Sequence, residues 1–310
     1  MNALIGIDLG GTKTEVAVLG ADGQFLFRQR LTTPSDDYQA ILDTIHVLVE
    51  QALAASGVAR PVAIGCAIPG CLDPDTHKVR GANTLVLNGQ SFQADLEQRL
   101  QCRVPVQNDA NCLAVSEAVD GAGLGGAVVF AAILGTGCGG GIALGGNAWQ
   151  GRHTIAGEWG HNPLPWPSAE ELQVPPCWCG LSGCLETWIS GTGFARDHAF
   201  ANGGELSALH IVQAMRNGDK EASQSFDRYL SRLGRALAQV VNLLDPDCIV
   251  LGGGMSNVDE IYPAIQAQML RYTFSKTART PVIKALHGDS SGVRGAAWLA
   301  MTTKAAMTTN

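Results

Sequence analysis

The chain has 310 residues, 46% of them hydrophobic, enough to bury a large core in one or two domains. A formal net charge of −7 and an isoelectric point near 5.5 argue against a nucleic-acid or membrane-surface partner, either of which favours a basic face. No apolar run approaches the roughly 20 residues that span a bilayer. The chain goes straight into ALIGIDLGG with no basic segment or cleavage site, and its nine mostly dispersed cysteines do not suggest a disulfide framework, so a soluble cytoplasmic protein is expected.

Residues 4–31 alternate as three strands, with turns at Gly10-Gly11-Thr12 and Ala21-Asp22-Gly23. The first turn carries Asp8, Thr12, Lys13 and Thr14. Its backbone N–H groups and hydroxyls suit phosphate oxygens, and an acid at the strand end suits a hydrated Mg²⁺. A helix follows from Pro34-Ser35 to Gly57, because Tyr38, Ile41, Leu42, Ile45, Leu48, Val49 and Ala52 recur at helical spacing. The apolar run 62–70 is a buried strand ending in Pro69-Gly70, and Asn83 and Asn88 sit in the polar loop beyond it. After a short helix near 92–101, a strand (104–107) stops at Asn108-Asp109 and an amphipathic helix begins. A carboxylate at such a junction is oriented by backbone amides. Helix capping accounts for one acid there, but not for the cluster Asn-Asp-Ala-Asn, so a catalytic role for Asp109 is expected.

Residues 127–146 repeat the opening pattern of apolar strand, glycine turn with Thr136, and apolar strand, which points to an internal duplication and two like-folded halves. Gly135, Gly137 and Gly140 match G-x-G-x-x-G, but a strand-like run rather than a helix follows them, which excludes a dinucleotide fingerprint. The segment 157–186 then brings together His161, Cys177, Cys179 and Cys184, the soft-ligand set of a structural Zn²⁺ site, with Glu158 and Glu186 close by in the chain. One such ion would pin both carboxylates at a polar binding site. Helices are expected at 187–202, 205–217 and 219–244. A strand then runs into Gly252-Gly253-Gly254, followed by a helix (257–272), a strand (281–286), a closing helix (292–301) and a frayed tail, 302–310.

Two glycine hairpins, an acid at a strand end and a third glycine loop resemble the sugar kinase and actin superfamily. DLGGTKT (8–14), NDAN (108–111), the blocks within 133–161, CWCGLSGCLE (177–186) and LGGG (251–254) resemble the ROK family of bacterial sugar kinases and repressors over essentially the whole chain. Within it, NDANCLAVSEAVDGA, GEWGHNPLPW, ETWISGTGF and HGDSSGVRGAAWL look most like the bacterial fructokinases. The resemblance implies an α/β, actin-like ATPase (ribonuclease H-like) fold, with two similar lobes around a cleft and a zinc-binding insertion. The expected lobes are 1–118 with 292–310, and 119–291.

The resemblance also implies residue roles. Asp109 is the expected general base, and Asn83, Asn108, Glu158, His161 and Glu186 hold the sugar. Asp8, Gly10, Gly11, Thr12 and Lys13, with Thr136 and Gly137, flank the ATP phosphates, and Gly253-Gly254 border the adenosine. ATP with Mg²⁺, a structural Zn²⁺ and a homodimer are expected. So is phosphorylation of fructose to fructose 6-phosphate, with N-acetylglucosamine, glucose or mannose as the competing acceptors. ROK repressors carry a DNA-binding segment ahead of the first hairpin; only seven residues precede Asp8 here, which favours a kinase over a repressor.

Overall fold

A computed structural model of the chain describes residues 3–305. The chain divides into two compact units, Met1–Gly125 with Gly141–Ala156 and Asp289–Asn310, and Gly126–Gly140 with Gly157–Gly288.

The first unit is built on a sheet of order β3-β2-β1-β4-β7. Its strands are β1 (Ala3–Leu9), β2 (Lys13–Gly20), β3 (Phe25–Thr32), β4 (Ala63–Ile68) and β7 (Val106–Asn108). The first three form an antiparallel meander, while β4 and β7 run parallel to β1. The short strands β5 (Cys71–Leu72) and β6 (Val79–Arg80) pair separately. On one face, helices α1 (Tyr38–Ser56) and α2 (Phe92–Leu100) close a core of Ile5, Ile7, Ile41, Ile45, Leu48, Phe92 and Leu96. Asp37 caps α1 through the amides of Gln39 and Ala40, and Gly57 ends it in the left-handed conformation (φ 68°).

On the other face lie α3 (Asp109–Val119) and α9 (Ser291–Ala305), whose Cys112, Val115, Ala296 and Ala297 pack with Leu4, Leu19 and Ala67. This layer depends on glycine. A Cβ on Gly6 would overlap the Val293 carbonyl oxygen and one on Gly65 the Ala296 carbonyl oxygen, so the α9 backbone rests directly on β1 and β4. The helix continues to Ala305 rather than stopping at 301; of the tail expected to fray, 306–310 lie outside the described residues.

The second sheet has order β10-β9-β8-β11-β12, from β8 (Val128–Leu134), β9 (Cys138–Leu144), β10 (Asn147–Ala148), β11 (Cys248–Gly252) and β12 (Val282–Lys284). Strands β11 and β12 run parallel to β8, and β10 is antiparallel to β9. This is the first sheet's topology again, as the repeated glycine hairpin suggested. Strand β9 begins directly after Gly137 and contains Gly140, where a dinucleotide fingerprint would need a helix.

Helices α4 (Glu186–Ile189), α5 (Gly191–Asn202), α6 (Ala208–Arg216), α7 (Lys220–Leu244) and α8 (Ile261–Tyr272) complete the second unit. The helix expected over 187–202 is broken at Ser190, whose hydroxyl accepts the Gly193 amide and starts α5 afresh. The helix expected from 257 begins at Ile261, after a 3₁₀ turn over Gly254–Asn257. Phe194, Phe226 and Tyr229 form the aromatic centre of this layer, with Tyr229 fully buried.

Candidate active site and metal centre

In the first unit the carboxyl ends of β1, β4 and β7 finish side by side. Asp8 pairs in register with Ala67, and Ala67 with Gln107. The chain therefore leaves β7 at Asn108-Asp109 beside the Asp8 row, the edge at which open α/β sheets bind ligands. Asn108, not Asp109, is the N-cap of α3: its backbone is extended (φ −63°, ψ 147°) and its side-chain oxygen accepts the Ala110 amide at 2.9 Å. Its amide nitrogen donates to the Gly70 carbonyl at 3.1 Å, joining the ends of β4 and β7. Asp109 takes the first helical position, with one oxygen 2.8 Å from the Ala110 amide.

Asp8 carries the imprint of its surroundings. Burial first, then the charges of Asp109 and Glu15, push the Asp8 carboxyl up to about 7, against a smaller lowering by Arg30. A Cβ on Gly292, in the first turn of α9, would overlap the Asp8 carboxylate, so that turn lies directly on the acid.

The first glycine turn, Gly10–Thr12, is braced from behind. Thr33 donates its hydroxyl to the Gly10 carbonyl (2.8 Å) and its amide to the Thr12 carbonyl (3.0 Å), and it also bonds the Thr14 hydroxyl (2.9 Å). Thr12 and Lys13 are exposed. Asn83 comes to this turn, its side-chain oxygen lying 3.8 Å from where a Gly11 Cβ would stand. The loop carrying it is closed by Asn88, which accepts the Ala82 amide (2.9 Å) and donates to the Ala82 carbonyl (2.8 Å). Thr33 and Asn88 act through backbone atoms, so spacing alone did not mark them.

In the second unit the ligand atoms of His161, Cys177, Cys179 and Cys184 lie within 4.8 Å of one another. His161 Nδ1 is 3.6 Å from Cys177 Sγ, and Cys179 Sγ is 3.6 Å from Cys184 Sγ. A tetrahedron with Zn–S near 2.3 Å and Zn–N near 2.0–2.1 Å has edges of about 3.6–3.8 Å, so the donor set suits Zn²⁺ and these two separations match such edges. A Zn²⁺ held through Nδ1, the nitrogen nearest Cys177, would leave the other ring nitrogen of His161 available.

Glu186 starts α4 two residues beyond Cys184 and binds on both sides. One oxygen accepts the Cys138 amide at 3.0 Å, at the second glycine turn; the other accepts the Trp178 indole N–H at 2.6 Å. Trp178 sits between two ligand cysteines and meets the His161 ring edge-on at 5.1 Å. Sequence reading passed over it; an aromatic residue inside a cysteine knuckle was the available signal.

Glu158 precedes the 3₁₀ turn Trp159–His161 without capping it. That turn is fixed to β9 by the Trp159 indole, which donates to the Gly139 carbonyl at 2.9 Å, and by the side-chain-free face of Gly160 lying on the Cys138 carbonyl. Glu186 thus links the cysteine cluster to the turn at Gly137–Cys138, while Glu158 lies in the chain just ahead of His161. At the third glycine loop, Gly253 has φ 80° and a Cβ there would stand 2.7 Å from the Leu134 carbonyl oxygen, whereas Gly254 borders open space.

The chain belongs to the ROK family, whose model matches residues 4–303. It is 40% identical over 298 residues to the N-acetyl-D-glucosamine kinase of Pectobacterium carotovorum, covering 95% of this chain and 97% of that one. It is 38% identical to the enzyme of the same description from Vibrio cholerae, covering 95% and 98%. Among solved structures, the ROK hexokinase of Thermus thermophilus matches with a TM-score of 0.87 and 29% identity, over 98% of this chain and 99% of that one. A ROK glucokinase from Streptomyces griseus, solved with glucose and AMPPNP, matches with a TM-score of 0.77 and 30% identity, over 97% and 99%. The fold is thus the α/β fold of the ROK sugar kinases. These curated relatives are named for N-acetyl-D-glucosamine and not for fructose, so the narrower likeness to fructokinases gains no support from them.

Proposed function

We propose that this protein transfers the terminal phosphoryl group of ATP to a hydroxyl of N-acetyl-D-glucosamine. The acceptor rests on the curated relatives, and the use of ATP on the Streptomyces griseus glucokinase bound to AMPPNP. One geometric observation carries the catalytic part: Asn108 performs the capping, so the carboxylate beside it is not needed as the cap.

Phosphoryl transfer needs positioning and charge neutralisation more than covalent chemistry. When bound, Mg²⁺ would neutralise phosphate charge. Asp8 fits a place near it, because a carboxyl pushed up to about 7 by burial and a neighbouring acid is one that a cation returns to its charged form. Asp109 accepts the proton of the attacking sugar hydroxyl, a contribution of roughly 10² to 10⁴-fold for a positioned base. The turn residues Gly10 and Gly11, with the exposed Thr12 and Lys13, offer amides, a hydroxyl and an ammonium to phosphate oxygens, and Asn83 and Asn108 offer amide groups to the sugar. In the second unit Thr136 and Gly137 take the phosphates, and Gly253-Gly254 allow close approach of the adenosine. Glu158, Glu186 and the free ring nitrogen of His161 hold sugar hydroxyls. A Zn²⁺ held by His161, Cys177, Cys179 and Cys184 would have a structural task, fixing His161 and the knuckle that carries Trp178 and leads into Glu186.

The acceptor is tested by measuring kcat/KM for N-acetyl-D-glucosamine, fructose, mannose and glucose under the same Mg-ATP conditions. N-acetyl-D-glucosamine is expected to lead. Fructose in first place would restore the fructokinase reading and overturn this choice of acceptor.

A further inference from the structure

Away from these residues, the second unit carries a pocket of about 420 Å³ formed by α4, α5, α7 and the chain around Glu170–Pro175. Its lining combines apolar surface, including Pro175 and the 86% exposed Phe200, with three guanidiniums: Arg196, Arg228 and Arg232. The charges do not balance. Arg228 and Arg232 both bind Asp197, at 2.8 and 2.7 Å. Arg232 also binds Glu171 at 2.8 Å, which Arg235 shares at 2.7 Å. With Arg196 that makes four guanidiniums against Asp197, Glu171 and the exposed Glu170 at the lining, an excess of one cation in a chain of net charge −7.

Arg196 is the uncompensated member. It donates to the Thr187 carbonyl, and among the described residues no carboxylate lies within ion-pair distance of it. Burial holds its guanidinium below the ordinary range; Asp197 offsets this in part and Arg232 adds to it. Arg196 is solvent-accessible, so an anion can reach it and would gain a charge-assisted hydrogen bond from a guanidinium that no carboxylate engages.

We propose that this pocket binds a small organic anion with a flat apolar body, its charged head on Arg196 and its body against Phe200 and Pro175. None of these three residues has a part in the proposed phosphoryl transfer, and the readout below is binding alone.

The test is a fluorescence titration of the full chain with the sulfonate dye 8-anilinonaphthalene-1-sulfonate and its uncharged counterpart N-phenyl-1-naphthylamine. The sulfonate is expected to saturate one site per chain. Arg196→Gln should weaken it at least about fivefold while leaving the neutral dye within about twofold, and Arg196→Lys should retain most of the binding. Phe200→Ala, at an exposed position that does not support the core, should weaken both dyes. The proposal is overturned if the sulfonate does not saturate, if Arg196→Gln leaves it unchanged, or if that variant weakens both dyes equally.

Discussion

Asn108 and Asp109 divide two tasks at one strand end. The cap must spend its side-chain oxygen on the amides of the first helical turn, and Asn108 does so while its amide nitrogen bonds Gly70. Asp109→Asn keeps the shape of the neighbouring side chain and removes its capacity to accept a proton. It should therefore lower kcat at least about 10²-fold with a modest change in sugar KM. Near-native turnover in this variant would make Asp109 a structural acid. That a strand stops at Asn-Asp was legible in the sequence. Which of the pair caps was not, because both residue types cap helices well and only the backbone angles at Asn108 decide it. Thr33 stayed hidden for a related reason, since its hydroxyl bonds a main-chain oxygen 23 residues earlier, and nothing in the residue type of Asn88 marked it as closing its loop on the Ala82 backbone.

At the scale of elements, the knuckle 177–184 and α4 behave as a brace, since Glu186 ties the ligand cluster to the turn at Cys138. One Zn²⁺ per chain is expected by elemental analysis of protein purified without chelators. Cys179→Ser should lose the metal and raise the sugar KM, even with Mg-ATP saturating. Full metal-free activity would sink this reading. A second prediction concerns Glu171, which is buried between Arg232 and Arg235. Burial alone would raise its carboxyl, but its bonds to Arg235, the Ser168 amide and Arg232 outweigh that and lower it from 4.5 to about 2. The folded value lies below the unfolded one, so this stabilisation is present above about pH 4.5 and is lost as the pH falls toward 2. The Tm gap between the native chain and Glu171→Gln should therefore be widest near neutrality and close on acidification through that window; a gap independent of pH would contradict it. The α9 layer gives a third test. Gly65→Ala forces a methyl against the Ala296 carbonyl and should lower Tm by at least about 5 °C, whereas Gly254→Ala, facing open space, should change stability far less.

For the whole molecule, the duplication was readable because both glycine hairpins begin the same five-strand order, and the apolar runs at 62–70 and 248–252 supply the parallel partners. Less readable was the break at Ser190: apolar residues keep helical spacing through it, and the hydroxyl that caps the next helix has no period of its own. The acceptor was the least legible. A shell of acids and amides suits any hydroxyl-rich ring, and discrimination between sugars depends on contacts that residue types do not specify. The central claim is sugar-dependent phosphoryl transfer, and its most direct test is ADP release by the full chain with Mg-ATP, measured with and without N-acetyl-D-glucosamine. The account predicts ADP formed mole for mole with phosphorylated sugar and only a trace without it. Equal ADP release in both, or none in either from folded, zinc-loaded protein, would contradict it.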